Sequence, residues 1–458
     1  MLFHTWTFLV FFAIVYPVYR VSKGTRFELW WLLAASYVFY GWWNPLYLLI
    51  IVYGTLADYF IVVGMDKVGH KKWWLAASVV SNIGLLAFFK YAGFITVNLN
   101  LVMAGMGLSY AIPSPGVLLP VGISFFTFQS MSYIIDCYRG DVQRERSLLR
   151  YAVYVSLFTQ LVAGPIERAS NLLQQLRHDR TITREDITDG LSLFVVGFFK
   201  KVALADYLSL YVDKVYTAPG EHQAPALLLA TFAFGWQIYF DFAGYTDMAR
   251  GIARTMGFRL MLNFNNPYLA DGLGDFWSRW HISLSSWFKD YVYIPLGGNR
   301  HGEFSTYRNM ALTMILSGIW HGANWTFLIW GVLHAGGRCL TRGLEQTPFY
   351  RDRVPRFAKQ LFVFTFVMFT WIFFRAANVG DAWLIISRIF TGGLSDPMFP
   401  VVALGLVMVL WVYQFMYESK LRWMLELTPV RVGMVVAAIV YMAVFTAPGA
   451  QSFIYFQF

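Results

Sequence analysis

Long apolar stretches separated by short polar clusters run from one end of the chain to the other. "TWTFLVFFAIVYPVY", "WWLLAASYVFYGWW", "YLLIIVYGTLADYFIVV" and "WWLAASVVSNIGLLAFF" come first, and similar runs return to the end. Several are long enough to cross a hydrocarbon core of roughly 30 Å, which takes about 20 helical residues. The pattern predicts an all-α, multi-pass integral membrane protein with one membrane-embedded domain over 1–458. "WWNP" at 42–45 breaks one helix from the next, which predicts two helices joined by a short outer turn. A second pair is expected to join around 96–115.

Basic clusters lie between these pairs, at 20–26, 66–72, 138–150, 177–185, 351–359 and 419–431. Lys and Arg collect in cytoplasmic loops, so 66–72, 138–150 and 351–359 are expected to face the cytoplasm. The first apolar run has no basic segment before it, and Arg20, Lys23 and Arg26 follow it. That order predicts an anchored first helix with its N-terminus outside, not a cleaved signal peptide.

The centre is less regular. The apolar run at 150–163 is short, has basic flanks, and meets "AGPIER". It reads as a re-entrant piece or a short buried helix, which survives at membrane depth only inside protein or beside water. The stretch 311–337 is also flanked by basic residues and contains "GIWHGANWTFLIWG". It spans once, or enters and returns if broken at its glycines, and the charge pattern favours the return.

Composition narrows the class. The 458 residues are 57% hydrophobic and only 14% charged, against about 25% charged in an ordinary soluble domain. The net charge of +10 follows from cytoplasmic basic loops and does not require nucleic acid. Cys137 and Cys339 form no CxxC pair, and no spacing indicates a metal site. No internal repeat is visible, which weakens a transporter reading in which Asp241, Glu167 and Arg168 line a permeation path.

Polar residues inside apolar runs are the candidate chemistry. In "WQIYFDFAGYTDMARG", Gln237, Asp241 and Tyr245 recur at intervals of four and share a helical face. A charge at mid-membrane costs about 2.5–3.5 kcal/mol on insertion scales, so this face meets protein or water. It lines a cavity, or it is a packing network of Asp241 with an arginine. From 263 to 302, Trp277, Trp280, Leu284, Trp287 and Tyr291 recur every three or four residues. They predict one amphipathic helix lying at an interface or against the bundle, started near Pro267 and Asp275 and ended at "PLGG". His321 sits in an apolar stretch, where an ionisable residue is a functional candidate by default. His334 follows by thirteen residues, on the opposite face of any continuous helix.

Together, "FWSRWHISLSSWFKDYVYIPLGGNR" and "GIWHGANWTFLIWG" resemble the membrane-bound O-acyltransferase (MBOAT) superfamily. Within it they are similar to the bacterial alginate O-acetyltransferases and their exopolysaccharide-acetylating relatives. "LLAASYVFYGWW", "LLPVGISFFTFQSMSYIIDCYRGD", "LVAGPIER", "GFFKKVALAD" and "YFDFAGYTDMARG" carry the same resemblance, which runs from about residue 30 to 345. It implies a ring of transmembrane helices, with re-entrant and short helices, around a thin central floor and a tunnel. It places the superfamily's histidine on His321 and the second functional histidine of the bacterial branch on His281. It implies acetyl-CoA as donor, with no permanently bound cofactor, and an extracellular polysaccharide as acceptor, reached directly or through a periplasmic acetyltransferase partner.

On that footing His321 is the expected general base, and His281 orients the acceptor or polarises the thioester. Asn324 is expected one helical turn from His321, as oxyanion donor or ring orienter. Trp320 lines the cavity beside it. Arg279, Lys289 and Arg300 are expected to hold the coenzyme phosphates, or else to anchor on membrane lipid headgroups. A lipid- or teichoic-acid-directed acyltransferase is the enzymatic alternative.

Overall fold

The computed structural model describes residues 1–396, 401–444 and 453–454. Among them every regular element is helical. Four helices are long and apolar enough to cross a membrane: Pro45–Lys67, Lys71–Gly105, Ala224–Thr255 and Arg356–Arg375. The described residues separate into two compact units, Met1–Leu191 with Ala249–Met261, and Ser192–Met248 with Leu262–Phe458.

The first unit holds α1 (Trp6–Ser22), α2 (Phe27–Gly41), α3 (Leu48–Lys67), α4 (Lys71–Gly105), α5 (Ile123–Arg139), α6 (Leu148–Ser156), α7 (Gln174–Arg177) and the start of α8 (Arg184–Phe199). The break at "WWNP" is real. α2 ends at Gly41, and the Asn44 side chain caps a short turn at Pro45–Tyr47 by accepting the Leu46 N–H. The second pair separates later than the pattern predicts. α4 runs on to Gly105, because 96–105 remains apolar and free of proline, and α5 begins only at Ile123. α6 is the short buried helix expected of 150–163, nine residues long with Tyr151–Ser156 all buried.

Polar groups inside this unit are matched across helices. Asp58 of α3 accepts from Ser78 Oγ (3.1 Å) and Asn82 Nδ2 (2.9 Å) of α4. Such bonds join helices whose apolar faces gain little from association in lipid. Glu167, in "AGPIER", accepts from the Met261 N–H and from Asn171 Nδ2 (2.7 Å). The acid assigned to a permeation path under the transporter reading is thus tied to neighbouring backbone and amide.

The second unit contains the rest of α8, α9 (Asp206–Thr217), most of α10 (Ala224–Thr255), α11 (Leu273–Arg279), α12 (Ile282–Phe288), α13 (Gly302–His321), α14 (Trp325–Glu345), α15 (Arg356–Arg375), α16 (Val379–Thr391), α17 (Val401–Glu418), α18 (Arg422–Glu426) and α19 (Thr428–Val444). Its core is aromatic: Trp236, Trp280, Trp330 and Trp371 are fully buried. α13 and α14 form a tight antiparallel hairpin, so the 311–337 stretch turns back on itself. A Cβ on Gly318 would lie 2.9 Å from Gly331 Cα, and one on Gly331 would lie 3.2 Å from Ile315 Cα. The two glycines let the helix backbones touch.

Candidate active site

The hairpin places His321 at its tip. His321 is the last residue of α13, Gly322 is extended, and α14 starts at Trp325. A side chain at Gly322 would overlap the Phe327 ring, so the bend needs glycine. The imidazole is buried, 4% exposed, and enclosed by rings. Trp320, Trp330 and Phe374 stand 5.0, 5.1 and 5.1 Å from it, all near perpendicular.

The second histidine arrives from a different break. The expected single amphipathic helix does not exist. α11 stops at Arg279, His281 adopts a left-handed backbone (φ 43°), and α12 restarts at Ile282. Sequence periodicity cannot see such a break, because spacings of three and four survive across it. Asn263 holds the break open. Its carbonyl accepts the Ile282 N–H (2.9 Å), and its Oδ1 accepts the Ser283 N–H (3.2 Å) and hydroxyl (2.7 Å). Trp280, Leu284 and Trp287 are buried, so the segment is core, not an interfacial anchor.

His281 is 1% exposed and lies 4.6 Å from the Phe242 ring of α10 and 6.2 Å from Trp320. Trp320 therefore contacts both histidines, His281 from the break between α11 and α12 and His321 from the end of α13. Two buried imidazoles around one indole suit proton transfer to a reactant kept from bulk water.

The remaining candidates sort differently. Asn324 is not one turn from His321. It is extended and caps α14, accepting the Thr326 N–H (3.2 Å) while its Nδ2 donates to Ala377 O (2.9 Å). The Oδ1 and one of the two Nδ2 hydrogens are thus committed to structure. Arg279 is ion-paired with Asp275 (2.8 Å) and Glu418 (2.5 Å), so its guanidinium is already occupied. Lys289 and Arg300 are exposed.

Gln237, Asp241 and Tyr245 share a buried face of α10. Asp241 pairs with a lysine, not an arginine. Lys201 Nζ lies 2.9 Å from Asp241 and 2.7 Å from Asp206, and the Ile454 N–H donates to Asp241 (2.7 Å). Tyr245 packs on Phe453 at 4.8 Å. Asp241 and Tyr245 thus meet protein atoms, and the network is the packing alternative with its cation exchanged. Lys201 comes from "GFFKKVALAD", where the first of two adjacent lysines, Lys200, pairs with Asp247 (2.7 Å). No group of three metal-ligating side chains occurs among the described residues.

The spacing of thirteen places His334 opposite His321 only on a continuous helix, and the helix is not continuous. His321 and His334 lie on different helices of the hairpin, and both contact Trp330, at 5.1 and 4.6 Å. The spacing of thirteen misleads because the chain reverses at Gly322.

Residues 139–380, which include both histidines, match the model of the membrane-bound O-acyltransferase family. The chain is 41% identical over 406 residues to the probable alginate O-acetylase AlgI of Azotobacter vinelandii, covering 86% of this chain and 80% of the relative. It is 35% identical over 391 residues to the peptidoglycan O-acetyltransferase of Helicobacter pylori, covering 79% and 73%. A weaker likeness, 29% over 234 residues, links it to the teichoic acid D-alanyltransferase of Bacillus subtilis, over 49% of this chain and 59% of the relative.

Proposed function

Because this chain belongs to the membrane-bound O-acyltransferase family and is an O-acyltransferase, we propose that it moves acetyl groups from cytoplasmic acetyl-CoA toward hydroxyls of an exported polysaccharide. The observation that carries the residue assignment is the pair of buried histidines contacting Trp320. Alginate is the first acceptor to try and peptidoglycan the second, following the names of the relatives. The setting is the inner membrane of a bacterium, with 66–72, 138–150 and 351–359 in the cytoplasm. A periplasmic acetyltransferase that finishes the transfer fits the same chemistry.

In this reading the neutral His321 imidazole takes the proton of the attacking hydroxyl. The oxygen bonds to the acetyl carbonyl carbon, the carbon–sulfur bond breaks, and the proton passes to the departing thiolate. A positioned base of this kind contributes typically 10²–10⁴-fold. His281 orients the acceptor. The enclosing rings exclude water, which limits hydrolysis of the thioester. Lys289 and Arg300, both exposed, are the cations left to meet coenzyme phosphates.

The test is thiol release from acetyl-CoA by purified protein, with and without acceptor polymer. His321→Ala is expected to reach wild-type abundance in the membrane and to lose at least about 10²-fold in rate. A well-expressed His321→Ala protein with normal turnover overturns the assignment.

A further inference from the structure

His334 has no part in the chemistry above, yet its surroundings are specific. Trp330 and His334 lie four residues apart on α14 and share a face. His334 is fully buried, with its ring 4.6 Å from Trp330 and 5.0 Å from Trp277. Its Nε2 lies 3.0 Å from the Thr370 hydroxyl of α15. That hydroxyl also lies 2.8 Å from Val367 O, to which it donates when Nε2 carries the imidazole proton. The bond to Thr370 fixes the plane of the His334 ring.

Trp330 stands between the two imidazoles. It meets His321 edge to face, at 5.1 Å and 81°. Trp320 and Phe374 bound His321 on its other sides, so a displaced Trp330 has to displace the His321 ring. Close-packed rings transmit such shifts because the interior has no slack.

We infer that His334 is a positioning residue for the acyl transfer, tethered by Thr370 so that it holds Trp330, and through Trp330 the His321 ring, in register with the reactants. The inference rests on His321 being the catalytic base.

The experiment measures kcat, KM for acetyl-CoA and thermal midpoint on purified full-length protein. Thr370→Val keeps the shape and removes the hydroxyl. Thr370→Ser keeps the hydroxyl, and His334→Phe keeps the ring and removes the tether. Misplacement of a catalytic group by about 1 Å costs on the order of 10²-fold. Thr370→Val and His334→Phe should therefore lower kcat by about 10- to 100-fold with KM unchanged, and Thr370→Ser should restore kcat to within about threefold of wild type. A purely structural role would lower the thermal midpoint and leave kcat per folded molecule intact, and that result overturns the inference. Should His334→Phe fail to accumulate, Thr370→Val decides alone. His321→Ala, run in parallel, separates the two readings. If it is inactive while Thr370→Val and His334→Phe turn over normally, only the role of His334 falls. If it is active, the catalytic assignment of His321 falls.

Discussion

A histidine with a left-handed backbone is costly to keep. His281 has φ 43°, and a non-glycine residue held there costs of order 1–3 kcal/mol. The bonds from Asn263 to Ile282 and Ser283 hold the backbone there. His281→Gly is therefore expected to preserve or raise membrane abundance while abolishing most acetylation, read as polymer acetyl content against protein level. Abundance that falls together with acetylation would make His281 a structural residue. Asn324 makes the opposite case. Its work is capping, which serine also performs, so Asn324→Ser should stay within about 1 kcal/mol of wild-type stability and keep near-normal turnover. An oxyanion donor would instead lose about 10²–10³-fold in kcat. His321 was legible in the sequence because an ionisable residue is conspicuous in an apolar run, whereas His281 came from the family resemblance alone. Asn263 was not legible, because its value lies in facing Ile282 and Ser283, twenty residues along the chain for the latter.

At the scale of elements, the α13–α14 hairpin governs the site. Gly318 and Gly331 set the distance between the two helices, and Gly322 sets the bend. Gly318→Val inserts branched carbon against backbone that cannot retreat, and overpacking of this kind costs typically 1–3 kcal/mol. It should lower both the thermal midpoint in detergent and the specific activity. Gly336→Ala, further along α14 where added carbon meets open space, is the matched control. It should be neutral or stabilising by about 0.5–1 kcal/mol. Equal losses at both positions would contradict the close packing. The return at 311–337 was readable from basic residues on both flanks. The break at 280–281 was not, since its apolar spacing imitates one continuous helix.

At the scale of the whole molecule, stability outside the apolar helices depends on loop ion pairs. Glu145, between α5 and α6, is buried and pairs with Arg177 (2.7 Å) and Arg150 (2.9 Å), and it accepts the Ser147 N–H (2.9 Å). Burial pushes its carboxyl up, but the Ser147 N–H and the Arg177 and Arg150 guanidiniums outweigh burial and hold it below the ordinary carboxylate range. A carboxyl depressed on folding stabilises above its unfolded value of about 4.3, and that gain fades as pH falls through the folded value. Glu145→Gln is expected to cost about 1.5–3 kcal/mol at neutral pH, the range for hydrogen bonds to a charged group. Melting curves of the variant and wild type should converge as pH drops below about 4. A gap that stays constant down to pH 3 would refute the pairing.

Sequence alone determined the all-helical membrane class, the short buried helix at 148–156 and the turn at 42–45, and it singled out His321 as a candidate. These follow from local properties: run length, flanking charge, and ionisable groups where lipid would penalise them. Only tertiary structure decided what each polar residue spends its hydrogen bonds on. It gave Asp241 to Lys201, Asn324 to a helix cap, Arg279 to Asp275 and Glu418, and it set His334 beside Trp330. The physical reason is that a buried polar group must be satisfied by whatever neighbour the fold supplies. Sequence spacing identifies that neighbour only while the chain stays in one helix, and here it turns at Gly322 and at His281.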